Sequence, residues 1–92
     1  MEVQFTHLAK KQLAKTPQSI QDRLQLWALQ IKEKGYGATL ILPTWRDEAL
    51  KGQRYGQRSI RLNRQYRAIY TLEKDVLLIT VLEVTPHDYR TR

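Results

Sequence analysis

Between Leu50 and Tyr70 the chain reads LKGQRYGQRSIRLNRQYRAIY, with six cations (Lys51, Arg54, Arg58, Arg61, Arg64 and Arg67) and no Asp or Glu. Ile60 and Leu62 alternate with Arg61, while Tyr66, Ala68 and Tyr70 alternate with Arg67 and Ile69. Successive side chains on a strand point to opposite faces, so the pattern predicts strands with one apolar and one cationic face. Guanidinium groups stay protonated and match phosphate oxygens in a two-point fork, which makes such a face a phosphate-binding surface. A second group able to do chemistry, His87-Asp88-Tyr89-Arg90, follows Pro86 near the end of the sequence. His, Asp and Tyr can all exchange protons when their surroundings tune them.

Together the two groups suit one reaction. Cleavage of an RNA phosphodiester needs a base for the 2′-OH proton, positive charge where the phosphorane gains negative charge, and an acid for the leaving 5′-oxygen. The cations supply the second requirement, and the His87 cluster offers candidates for the first and third. Walker loops, GxGxxG, metal-type Cys/His spacing and a serine elbow are all missing, so neither a cofactor nor a metal is expected. Each residue also has a plainer reading. The stem of Arg67 could lie over apolar surface, as long cationic side chains often do, and Lys51 could be a solvated turn charge. Trp27, Tyr66 and Tyr70 read as core. His7 reads as structural, and Trp45 as packing over the core with Leu40 to Leu42, an exposed ring for base stacking being the alternative.

Ninety-two residues allow one domain with a single modest core, spanning residues 1–92. With 16 Lys/Arg against 9 Asp/Glu, the formal charge of +7 favours a polyanionic partner. There is no cysteine, so disulfides and thiolate metal sites are excluded and a reducing compartment is suitable. The N-terminus lacks the apolar stretch of a signal peptide, and no run approaches the roughly 20 apolar residues of a membrane span. A soluble cytoplasmic protein without membrane association is expected.

The elements that must position these residues can be read in order. Glu2–Thr6 alternates as a short strand, and Thr6 caps a helix ending near Lys15. Thr16-Pro17 reads as N-cap and first residue of a second helix. Its apolar set Ile20, Leu24, Trp27, Ala28 and Ile31 defines one face over about four turns. Gly35 and Gly37 are expected to end it. Residues 36–49 read as an ordered connection, followed by the basic strand pair, a turn at 73–75 and a central strand from Val76 to Val84. The expected fold is α+β, with two N-terminal helices on a small, mainly antiparallel four-stranded sheet in the order β-α-α-β-β-β.

The segments LKG, SIRLNRQYRAIY and EVTPHDYR resemble the RelE/ParE superfamily of bacterial toxins from type II toxin–antitoxin pairs. The likeness is nearest to the RelE, YoeB and HigB kinds, which are ribosome-dependent mRNA interferases. It implies a RelE-like sheet, a cognate antitoxin protein, the ribosome and mRNA as partners, and no small-molecule cofactor. By that resemblance Lys51 and Arg67 are cations at the scissile phosphate. Asp88 and Tyr89 match the acidic–Tyr pair near the C-terminus, and His87 falls beside a position where some relatives carry a catalytic His. Gln65 stands where HigB-like toxins have a polar amide, and Glu48 lies near a YoeB-like catalytic Glu. Arg54, Arg58, Arg61, Arg64 and Arg90 become RNA contacts. Two other functions remain open: a ParE-like DNA gyrase inhibitor that cleaves nothing, and a non-catalytic nucleic-acid-binding module.

Overall fold

The structure, a computed structural model, describes residues 1–73, 75 and 78–86. Strand β1 (Glu2–Phe5) leads through Thr6 into helix α1 (His7–Ala14). The Thr6 hydroxyl accepts from the Ala9 amide at 3.0 Å, the N-cap its sequence position requires. Helix α2 (Gln18–Lys34) buries Ile20, Leu24, Trp27 and Ile31, four of the five residues on its apolar face. Thr16 plays a different part from the one its position suggested. Its hydroxyl donates back to the Leu13 carbonyl at 2.6 Å, so it closes α1, and α2 begins without a side-chain cap.

Residues 36–49 hold more regular structure than a connection. Gly35, at φ 89°, ends α2 in a conformation suited to glycine, and a short helix α3 (Tyr36–Leu40) follows with Gly37 inside it. A 3₁₀ turn, Pro43–Trp45, then delivers strand β2 (Glu48–Ala49). A second 3₁₀ turn, Gly52–Arg54, precedes β3 (Arg58–Arg61), β4 (Tyr66–Glu73) and β5 (Leu78–Pro86). The strand-like reading from Leu50 onward is thereby corrected. Gly52 and Gly56 adopt positive φ of 66° and 92°, and the chain turns twice before β3 begins.

The described strands form a five-stranded sheet in the order β1-β5-β4-β3-β2, one strand more than expected. The additional strand, β2, has only two residues, too few to show alternation. The sheet is mixed, because β1 runs parallel to β5 while the other neighbours are antiparallel. A bulge lies opposite Ile69/Tyr70, where Tyr70 faces Val81 and Ile69 faces Glu83. Pairing with β1 also stops at Val81, so α1 meets the next backbone groups of β5. The Thr6 hydroxyl donates to the Leu82 carbonyl at 2.7 Å, and Gln12 Oε1 accepts from the Val84 amide at 2.8 Å.

One sheet face packs Ile60, Ala68, Tyr70, Ile79, Val81 and Val84 against α1, α2 and Trp45. Trp45 is fully buried in the core, as its packing reading expects, and the stacking alternative is excluded. Its indole N–H donates to Gln30 Oε1 at 3.0 Å, and the Arg23 guanidinium lies 4.1 Å over its ring. At the edge of this core sits Asp47, whose side chain is only 1% exposed. Arg58 Nε donates to one carboxylate oxygen at 2.7 Å, and the Tyr70 hydroxyl donates to the other. Because Tyr70 has given its only proton to Asp47, the 2.6 Å contact with Tyr36 requires Tyr36 to donate. The network joins α3, β3, β4 and the segment entering β2.

Removing one member of a buried pair strands the other, so Asp47→Ala is expected to lower stability by roughly 2–4 kcal/mol, measured by urea unfolding. Both phenols are held above the usual tyrosine range. Burial is the larger cause at each, and hydrogen bonding to Asp47 and Tyr36 adds to it at Tyr70. Below about pH 10 both states keep these protons and the contribution is complete; above it only the unfolded chain releases them, so stability falls as pH rises. The urea midpoint should decline above pH ~10, and less steeply in Tyr70→Phe.

Candidate functional site

The second face of the sheet carries the alternate residues Glu48, Ser59, Arg61, Arg67, Ile69, Glu83 and Thr85, as the registers require. Toward its β3–β4 end lies a cleft of ≈ 200 Å³ lined in part by Arg46, Glu48, Ser59, Arg61, Arg64 and Arg67. Among the described residues, four guanidinium groups therefore share the cleft with one carboxylate. Arg61 and Arg67 are direct ladder partners, an arrangement in which like charges oppose pairing. Glu48 pairs with Ser59 and is thus the diagonal neighbour of Arg61, about 7–8 Å away between Cα atoms.

The hairpin tip is built to hold these groups. The amides of Leu62 and Asn63 both donate to the Tyr66 carbonyl, at 2.9 and 3.2 Å. Asn63 Oδ1 accepts from the amides of Gln65 and Tyr66 at 2.7 and 2.8 Å, a local turn its short amide side chain favours. Arg61 Nε donates to the Asn63 carbonyl at 3.2 Å. From the helical layer, Arg23 donates to the Leu62 carbonyl at 3.2 Å and to the Thr44 hydroxyl at 3.1 Å, fixing the tip against the 3₁₀ turn.

Arg67 is half-buried, and its Nε is buried with no hydrogen-bond partner among the described residues. A buried donor left unmade costs about 1–3 kcal/mol, so the position calls for an acceptor. An oxyanion in the cleft would supply one, with charge complementarity from Arg61.

The other candidates from the sequence are placed as follows. Arg54 donates to Glu83 at 2.5 Å and to Gln57 at 2.9 Å, and Arg58 is engaged by Asp47, so these two cations are tied within the chain. Gln65 is exposed on the hairpin tip. Lys51 is exposed just before the second 3₁₀ turn and does not line the cleft. It lies beyond the Ala49–Arg58 pair, whereas Arg61 and Arg67 sit three residues the other way, about 10 Å further along the strands. His87, Asp88, Tyr89 and Arg90 lie outside the described residues. The last described residue, Pro86, pairs with Tyr66 and is therefore next to the cleft end of the sheet. Sequence reasoning passed over Arg46, which lines the cleft from a left-handed backbone conformation, φ 45° and ψ 49°. Nothing in the stretch TWRDEA marks such a conformation.

No protein-family model matches the chain, and no curated protein matches it. Solved structures do. A YoeB/ParE toxin from Agrobacterium tumefaciens is 16% identical, with 96% of this chain and 100% of that one covered at a TM-score of 0.74. The archaeal RelE–RelB complex from Pyrococcus horikoshii OT3 contains a chain 18% identical, with 96% of each covered and a TM-score of 0.74. YafQ from E. coli strain BL21(DE3) is 11% identical over 98% of this chain and 97% of its own, with a TM-score of 0.75. At these identities the likeness is one of fold, and the fold is that of the RelE/YoeB-like toxins.

If Arg67 is held in the cleft for an anion, replacing it should relieve the fold. Arg67→Met removes the unmade donor and the like-charge pair, so it is expected to leave stability unchanged or raise it by up to about 1 kcal/mol. Inorganic phosphate should raise the melting temperature of the parent protein and lose that effect in the variant, as differential scanning fluorimetry would show.

Proposed function

We propose that this chain is the toxin of a type II toxin–antitoxin pair and acts as a ribosome-dependent mRNA endoribonuclease in the cytoplasm. The observation that carries the reading is Arg67, a half-buried cation whose Nε has no partner among the described residues, in a cleft with Arg46, Arg61 and Arg64. The RelE/YoeB-like fold and the net charge of +7 support the same reading.

In this proposal the scissile phosphate lies against Arg67 and Arg61. The 2′-oxygen attacks the adjacent phosphorus, the P–O5′ bond breaks, and the products carry a 2′,3′-cyclic phosphate and a 5′-hydroxyl. As negative charge grows on the phosphorane oxygens, the fixed guanidinium groups stabilise it without reorganising. The 2′-OH proton goes to a base and another proton is delivered to the leaving 5′-oxygen. Among the described residues Glu48 is the one carboxylate lining the cleft and the candidate base within it. His87, Asp88 and Tyr89 remain proposed partners in proton transfer and nucleotide orientation, with Arg90 an RNA contact. Lys51, away from the cleft, is proposed to meet the same RNA or the ribosome. A cognate antitoxin is the proposed protein partner, its acidic groups complementary to the cationic face.

Induction of the parent protein should arrest growth and produce codon-phased mRNA 5′ ends. In Arg67→Ala those cuts should fall by about 10²–10³-fold, the range for losing one transition-state donor. Arrest with intact mRNA and inhibited DNA gyrase would instead establish the ParE-like function. RNA binding without either effect would leave a non-catalytic module.

A further inference from the structure

A second groove, of ≈ 450 Å³, adjoins the cleft where the 3₁₀ turn at Pro43–Trp45 approaches the β3–β4 hairpin. Its walls include Arg23, Thr44, Arg46, Arg61, Asn63 and Arg64, and no acid lines it among the described residues. Arg46, Arg61, Asn63 and Arg64 line both depressions, so they form the ridge between them. Two cations of the groove, one beside the ridge and one on it, are held in place. Arg23 is fixed by the Leu62 carbonyl, the Thr44 hydroxyl and the Trp45 ring, which holds its charge in place at the groove. Arg46 occupies its position at φ 45°, a conformation that is unfavourable for a side chain with a Cβ and that glycine would adopt freely.

Cations brought together on a ridge, with anion-sized space on either side, fit a ligand that presents more than one phosphate in sequence. We infer that the groove is a second phosphate subsite for single-stranded RNA, holding the phosphate next to the one at Arg67. The inference rests on the ribonuclease reading and adds the path of the strand: over the hairpin ridge, from the sheet face toward the 3₁₀ turn.

Two variants test it with 2′-O-methyl oligonucleotides, which bind without being cut. Thr44→Glu places an acid in the groove while leaving every cleft residue intact. Arg46→Gly removes a ridge cation and relieves the left-handed backbone, so its melting temperature should be maintained or raised. A tetranucleotide should bind roughly tenfold more weakly to either variant, as the loss of one charge-assisted contact implies. For Arg46→Gly the slope of log K against log salt should shrink by about 0.7, one phosphate's share on a single strand. A dinucleotide, with a single phosphate, should bind Thr44→Glu within about twofold of the parent protein, and Arg67→Ala should weaken both ligands.

Equal losses for dinucleotide and tetranucleotide in Thr44→Glu would overturn the second subsite while leaving the cleft reading intact. Unchanged tetranucleotide binding in both variants would do the same. If Arg67→Ala fails to weaken either ligand, the cleft reading itself fails. If poly-L-glutamate loses affinity for both variants while the tetranucleotide does not, the groove belongs to an acidic protein and the RNA assignment is wrong.

Discussion

The carboxylate of Asp47 is the anchor on which the site depends. It is drawn into the protein by Arg58 Nε and the Tyr70 hydroxyl, and Tyr70 is in turn held by Tyr36. A buried carboxylate is tolerable only with such partners, and here they come from three separate elements. Its two chain neighbours are thereby committed. Arg46 must turn through a left-handed conformation to deliver it, and Glu48 must emerge as the first residue of β2. Both then line the same cleft. One inward residue thus sets two outward ones.

The cations of the sheet are divided by position along the strands. Toward the β2–β3 turns, Arg54 and Arg58 are paired with Glu83 and Asp47 and help close the structure. Toward the β3–β4 hairpin, Arg61 and Arg67 face each other across the ladder, with Arg46 and Arg64 beside them and Glu48 as the only carboxylate among the described residues that line the cleft. Exposed ion pairs contribute little to stability, but a pair anchored on a buried carboxylate fixes geometry. The first set therefore serves the fold, while the second concentrates charge where a ligand can reach it. A tally of charge along Leu50–Tyr70 cannot separate these two sets, because Asp47 and Glu83 lie outside that stretch.

That division also marks where sequence reasoning reached and where it stopped. The Thr6 cap, the apolar face of α2 and the alternation around Ile60 and Ala68 are local patterns, and each appears in the fold. Strand β2 was missed because two residues carry no period. Thr16 was misread because a hydroxyl between two helices can either accept from the amides of the next or donate to a carbonyl of the last, and here it donates to Leu13. For Trp45 core packing and surface stacking both stayed open in the sequence, because the residues that cover it, Arg23 and Gln30, come from α2. Arg67 stood out as a cation within an apolar run, but its Nε without a partner among the described residues and its pairing with Arg61 emerge only in the folded sheet. Arg46 gave no signal, since its importance comes from a backbone conformation imposed by its neighbours.

The cleft gathers features that ordinary folding would avoid. It has like charges opposed in a ladder, a buried donor without an acceptor among the described residues, and a non-glycine residue at positive φ. Strained backbone and unmade donors oppose folding by roughly 1 kcal/mol or more and like-charge strand pairs by up to about 1, before any side-chain packing at those positions is counted. A domain of this size has only about 5–14 kcal/mol in total. The surrounding structure must hold the site against these terms, through the Asp47 network, the Arg23 strut and the Asn63 turn. An oxyanion seated between Arg61 and Arg67 would cancel the first two at once, because it screens the repulsion and accepts the unmade hydrogen bond. Anion binding and folding are therefore linked: a ligand that binds only the folded state stabilises it by mass action. The same physics applies whether the oxygens belong to a phosphate or to a partner's carboxylates. Substrate and acidic partner would therefore compete for the same cations, and a partner covering this face would both stabilise the chain and block it.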